Sequence, residues 1–196
     1  IIITADHGEM LGDRHAWGKM TVYEAAYNTP LIVKVPNNDA WAGHEVTTPT
    51  ESIDITPTIL DWIGREAPTS MDGRSLLPLL RGAVPSDWRS ATFSELDFGD
   101  PVSPTLWQTM LGTNLRDSCL SILRDERFTL VEFAADLPPL LFDHKAEGEE
   151  KNVAMQAEYA SDLARMSRQM LRFRMKHTDQ TLSSAAITPE GVKWHR

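Results

Sequence analysis

Asp6 and His7 stand side by side in the string Asp6-His7-Gly8-Glu9, and Lys19 follows Asp6 by thirteen residues. A carboxylate oxygen beside an imidazole nitrogen is a mixed hard and borderline ligand pair. It suits Mn²⁺, Zn²⁺ or Ca²⁺ once further carboxylates complete the shell. Gly8 lets the backbone turn close to an ion. An ammonium returning at Lys19 would bring a cation to the same pocket. His15, four residues before Lys19, either faces that pocket or stands in solvent. The same Asp-His pair also serves plain structure as a turn or helix cap, and the residue types alone leave both readings open.

The elements around these residues set where the pair stands. Ile1, Ile2 and Ile3 form an apolar run without alternation, the pattern of a strand buried on both faces of a parallel sheet. Asp6 and His7 then lie at its carboxyl end, the edge where open α/β sheets bind ligands. Met20 to Tyr27 reads as a short helix or turn, broken at Thr29-Pro30, and Leu31 to Val35 reads as a second buried strand. Residues 36–50 are turn-rich, with a solvated His44. Ser52 or Asp54 caps a helix carrying Ile55, Ile59, Leu60 and Ile63, with Pro57 in its first turn.

From Pro85 the pattern changes. Residues 90–96 alternate as a strand, and 105–111 form a short helical turn. Residues 120–123 and 128–133 read as a hairpin across the polar turn 124–127, and Leu140 to Asp143 adds a short strand. Tyr159, Leu163, Met166, Met170 and Phe173 make an apolar stripe on a helix over 153–177, with Arg and Lys gathered near its end as the helix dipole favours. Strands followed by a helix point to an antiparallel α+β subdomain. The expected division is 1–84, 85–177 and a polar tail 178–196, whose Trp194 suggests docking on a neighbouring subunit.

The residues Asp6-His7-Gly8-Glu9, Leu11-Gly12-Asp13, Trp17-Gly18-Lys19, Tyr23-Glu24 and Thr29 to Val33, taken in order, resemble the metal-site segment of the sulfatases, in the alkaline phosphatase superfamily. The similarity is strongest to the phosphonate monoester hydrolase and arylsulfatase branch. It continues through Asp54 to Leu60, Met71 to Leu80 and Leu140 to Asp143. It implies an α/β fold: the C-terminal part of an alkaline-phosphatase-like sandwich, with parallel strands and helices, followed by a small antiparallel subdomain. It also implies that Asp6 and His7 ligate one divalent ion (Mn, Ca or Zn), that Lys19 contacts the anionic oxygens of a small ester substrate, and that Trp17 walls the pocket. Glu9 then caps the next turn or supports the ligands from behind. Asp72 and Arg74 order a loop. The family commonly has Arg where Asn28 stands, so an ion pair there is in question.

The resemblance further implies a nucleophile in a Cys/Ser-x-Pro-x-Arg motif, oxidised to formylglycine. No such motif occurs, and Cys119 is followed by Leu120-Ser121-Ile122. With no initiator Met and a first residue inside a strand, the sequence suggests the C-terminal part of a longer protein. On that reading the 196 residues alone lack catalysis, and the remaining ligands come from elsewhere. Two alternatives stay open: a non-catalytic fragment or oligomerisation module, and a phosphatase of the same superfamily using Ser or Thr.

A net charge of −9 disfavours nucleic acid or an anionic membrane as partner. It also means that a metal or local cations must draw in an anionic ester. No segment has the length of a membrane-spanning helix. The single cysteine excludes an intrachain disulfide and fits a cytoplasmic setting. A homo-oligomer is expected for the intact protein.

Overall fold

The computed structural model describes residues 1–36, 42–178 and 185–194. Two short strands, Ile2–Thr4 (β1) and Leu31–Val33 (β2), pair antiparallel, with Ile2 opposite Val33 and Thr4 opposite Leu31. The expected parallel partners do not occur among the described residues, and the expected burial is missing too. Ile1, Ile3 and Ile32 are 76%, 54% and 59% exposed. The apolar run has the composition of a strand covered on both faces, but among the described residues β1 pairs with β2 alone and stays half-buried to exposed.

Between these strands lies the helix Glu24–Tyr27 (α1). Next come Ile55–Trp62 (α2) and Leu77–Leu80 (α3), the latter with Pro78 in its first turn. The short turn Ser52–Asp54 that leads into α2 is closed by a box between Glu51 and Asp54: the Asp54 carboxylate accepts the Glu51 N–H at 2.9 Å. Asp54 also accepts the Arg74 N–H at 2.8 Å and Arg89 Nη2 at 2.7 Å. Thr58 Oγ1 receives the Leu76 N–H at 2.8 Å. The loop-ordering role expected of Arg74 is therefore visible, since its guanidinium also donates to the Asp87 carbonyl at 2.6 Å. The apolar stripe of α2 does not face a core. Ile59 and Ile63 are exposed, while Pro57 and Thr58 are buried.

The rest is organised on one sheet. Its strands, Ala91–Asp97 (β3), Cys119–Asp125 (β4), Phe128–Phe133 (β5) and Leu140–Asp143 (β6), lie in chain order, all antiparallel. Successive side chains take opposite faces. Leu123, Leu130 and Leu141 pack with Phe128, Met166 and Met170 on one side. Ile122, Val131 and Phe142 pack with Phe98 and Val22 on the other. Both faces are covered, and residues 128–131 of β5 are all buried. The hairpin turn is tighter than expected: Arg124 and Asp125 belong to β4, and Asp125 accepts the N–H groups of Arg127 and Phe128 at 2.8 and 2.7 Å.

The helix Leu106–Leu111 (α4) starts in a Thr105/Gln108 capping box. The long helix Ala160–His177 (α5) begins later than the apolar pattern suggested, because Val153 and Ala154 enter the core from a loop. Its stripe packs as expected, and Phe173 stacks on Phe93 with centroids 4.3 Å apart. The tail holds a hairpin not read from the sequence, Ala185–Thr188 (β7) and Gly191–Trp194 (β8), turning at Pro189-Glu190. Part of the turn-rich stretch at 37–41, and the Trp194 side chain, lie outside the described residues. No described helix is long and apolar enough to cross a membrane.

Candidate metal and substrate site

Asp6 and His7 follow β1 on a turn that α1 holds in place. Gly8 donates its N–H to the Ala26 carbonyl at 2.9 Å. A Cβ on Gly8 would lie 2.0 Å from the Ala25 carbonyl oxygen, so only glycine allows this approach. His7 Nδ1 lies 2.7 Å from the Gly8 carbonyl oxygen. A carbonyl oxygen only accepts, so Nδ1 carries the proton of this contact and Nε2 is the ring nitrogen turned toward Asp6. Nε2 stands 3.5 Å from Asp6 Oδ2. Two ligand atoms about 2.1 Å from one ion and 90–109° apart are separated by about 3.0–3.4 Å, so the pair fits one divalent ion with little adjustment. The Asp6 side chain is open to solvent and that of His7 is partly covered.

Asp6 lines a cleft of about 920 Å³ between β1–β2, the 46–55 segment and the β3–β4 edge. Glu24, Asn28, Glu51 and Arg124 share its walls. Among the described residues no group of three or more His, Cys, Asp and Glu side chains is arranged to hold a metal.

His15 and Lys19 belong to a separate, exposed loop. Glu9 closes it, accepting the Gly18 N–H at 2.5 Å and the Leu11 N–H at 3.3 Å, so Glu9 caps this turn. Buried Met10 anchors it from inside. Leu11, Arg14 and His15 adopt left-handed φ of 51°, 50° and 59°. Such backbone is costly for side-chain-bearing residues and tends to occur where function requires it. Trp17 is exposed beside Gly12, and Lys19 is exposed with its carbonyl accepting the Thr21 N–H at 2.8 Å. The structure thus joins Asp6 to His7. It links neither His15 nor Lys19 to them by an ion pair, and neither residue lines the cleft at Asp6.

Sequence reasoning missed the ionic cluster beneath the turn. Arg124 Nη2 lies 2.8 Å from Glu24 Oε2, and Asn28 donates to Glu24 Oε1 at 2.9 Å. Asn28 thus makes a neutral hydrogen bond, and Arg124 from β4 is a cation beside Glu24. Glu149 accepts the Glu24 N–H through both oxygens, at 3.0 and 3.1 Å. Burial pushes the Glu149 carboxyl above its ordinary range. Arg124 Nη1 also meets His144 Nε2 at 3.0 Å and Thr129 Oγ1 at 3.1 Å. Burial, and then Arg124, push the His144 imidazole below its usual value. Tyr27, buried near Thr129 but without a partner in hydrogen-bonding geometry, is pushed up to about 12 by burial. The sequence signals that touched it were the pair Tyr23-Glu24 and the charged turn 146–152 that carries Glu149. Cys119, half-buried on β4, has its thiol pushed up by burial, which suits an inert side chain.

Residues 12–101 match the family model for N-sulphoglucosamine sulphohydrolase, C-terminal. The chain is 40% identical over 193 residues to the multifunctional alkaline phosphatase superfamily protein PehA of Trinickia caryophylli, covering 98% of this chain and 37% of that protein. It is 30% identical over 164 residues to the N-acetylglucosamine-6-O-sulfatase of Bacteroides thetaiotaomicron, covering 82% of this chain and 27% of that enzyme. The phosphonate monoester hydrolase SpPMH from Silicibacter pomeroyi superposes over the whole chain with a TM-score of 0.89 at 61% identity, and the chain covers 38% of it. The phosphonate monoester hydrolase of Agrobacterium radiobacter superposes with a TM-score of 0.86 at 38% identity. The chain therefore spans well under half the length of these relatives.

Proposed function

Since this chain belongs to the sulfatase family of the alkaline phosphatase superfamily, and corresponds to the C-terminal part of its members, we propose that the intact protein is a metal-dependent hydrolase of sulfate, phosphate or phosphonate esters. Asp6 and His7 are two ligands of its single divalent ion. The observation that carries this reading is the turn itself: His7 Nδ1 is engaged by the Gly8 carbonyl, and Nε2 is left beside Asp6 Oδ2. The bound ion would neutralise the non-bridging oxygens of the ester and lower the pKa of a bound hydroxyl.

The chain's own residues do the rest of what it contributes. The Gly8 carbonyl fixes the imidazole tautomer and ring plane. Lys19 serves as a compact point charge for the ester's anionic oxygens, brought to the site when substrate and the rest of the protein are in place. His15 and Trp17, on the same exposed loop, line the approach. Imidazole ligation favours Mn²⁺ or Zn²⁺ over Ca²⁺. Residues 1–84 then form part of the catalytic domain and 85–177 a supporting subdomain. A homo-oligomeric and cytoplasmic enzyme is part of the same proposal. Removing residues after His177 is expected to lower the light-scattering mass, and an unchanged mass would remove the tail from the assembly.

Two ligands cannot fill a coordination shell, so the 196 residues alone should lack catalysis and bind metal weakly. Isothermal titration of Mn²⁺ into this chain is expected to give a dissociation constant above about 1 µM, set against the nanomolar or tighter range of complete protein cages. Submicromolar binding contradicts the proposal. The full-length protein should hydrolyse an aryl sulfate or an aryl phosphonate monoester, and Asp6→Ala should abolish that turnover.

A further inference from the structure

The ionic cluster and the Asp6–His7 turn are two ends of one connected piece. Glu149 and Arg124 come from the far side of the sequence and grip the same residue, Glu24: one takes its N–H, the other its carboxylate. Glu24 is the first residue of α1, and Ala25 and Ala26 follow it. The Ala26 carbonyl receives the Gly8 N–H, and the Ala25 carbonyl sits where a Gly8 side chain would be. A four-residue helix has little stability of its own, so its position is set by what holds its ends. Arg14 adds to the grip: its guanidinium lies over the Tyr23 ring at 4.3 Å and its charge acts on Glu149.

We propose that Arg124 and Glu149 are positioning residues for the Asp6–His7 turn, acting through Glu24 and α1. The antiparallel sheet then has a part in the chemistry without touching substrate. It fixes where the two metal ligands stand, and loosening the clamp lets the turn drift. The link to metal binding rests on the reading under Proposed function, whereas the mechanical link does not.

Hydrogen exchange followed by mass spectrometry on the full-length protein tests both parts. Arg124→Gln should speed exchange in the peptide covering residues 5–10 by about fivefold, as loss of one partly covered charge contact would. The peptide covering 166–173 in α5 should stay unchanged, and Arg124→Lys should recover most of the protection. Glu149→Gln provides a second variant with the same expected pattern should the first fail to fold. No change at 5–10, or an equal change in both peptides, overturns the positioning role. In the unsubstituted protein Mn²⁺ should slow exchange at 5–10, and Arg124→Gln should raise the Mn²⁺ concentration needed severalfold. If Mn²⁺ gives no protection in either protein, the metal reading fails, and the positioning role stands or falls on the exchange pattern alone.

Discussion

Gly8 shows how tightly the site is built at the scale of one residue. The Ala25 carbonyl occupies the space of its missing side chain. Gly8→Ala must push α1 away and should destabilise the chain by about 2–3 kcal/mol in urea unfolding, the usual range for overpacking into fixed backbone. Wild-type stability in that variant would contradict the contact. His144 makes a different test. Its folded pKa lies below the ordinary value because burial and Arg124 oppose its charge. The folded state therefore binds fewer protons than the unfolded one, and stability falls as pH drops through about 6.5 toward the folded pKa. Glu51 and Glu149, raised by burial, act with the opposite sign at lower pH, nearer the carboxylate range. The decline in Tm from pH 7 to pH 5.5 should shrink in His144→Gln. An identical decline would show that His144 does not report this environment.

At the scale of elements, patterns with a fixed period were readable and long-range pairing was not. The stripe on α5 and the β4–β5 hairpin follow from spacing alone, because each apolar face must find cover. Spacing misled at α2, where Ile59 and Ile63 face outward, and at the opening run, where Ile1 and Ile3 lie largely open. Periodicity states that a face is apolar without saying what covers it. Arg124 was legible only as a turn residue, since its partner Glu24 is a hundred residues away and no local rule joins them. The clamp before α2 was not legible: Ser52 or Asp54 was expected to cap the helix, but the Asp54 side chain caps no α2 N–H and instead accepts the Glu51 N–H and Arg89. Asp54 is fully buried. Asp54→Ala should cost about 3–5 kcal/mol in urea unfolding, because it leaves Arg89 short of its buried partner. The exposed pair Lys151–Glu147 offers the contrast: Glu147→Ala should cost under about 0.5 kcal/mol. Similar losses for the two would overturn the distinction.

At the scale of the whole molecule, the chain holds the Asp6–His7 turn against α1, carries Lys19 on the adjoining loop and grips the start of α1 from Arg124 of the sheet. The family was legible from short strings of residues, because Asp-His-Gly-Glu and Trp-Gly-Lys, taken in order, resemble a segment of the sulfatases. The relation of Lys19 to the turn was not legible, since the 10–20 loop keeps its own shape through Glu9 and three left-handed residues. The central claim is that Asp6 and His7 share one divalent ion. An anomalous difference map at the manganese edge, from crystals of the full-length protein grown with Mn²⁺, tests it most directly. The account predicts a peak about 2.0–2.2 Å from both His7 Nε2 and a carboxylate oxygen of Asp6. A manganese peak elsewhere, with His7 Nε2 donating a hydrogen bond instead, would contradict it.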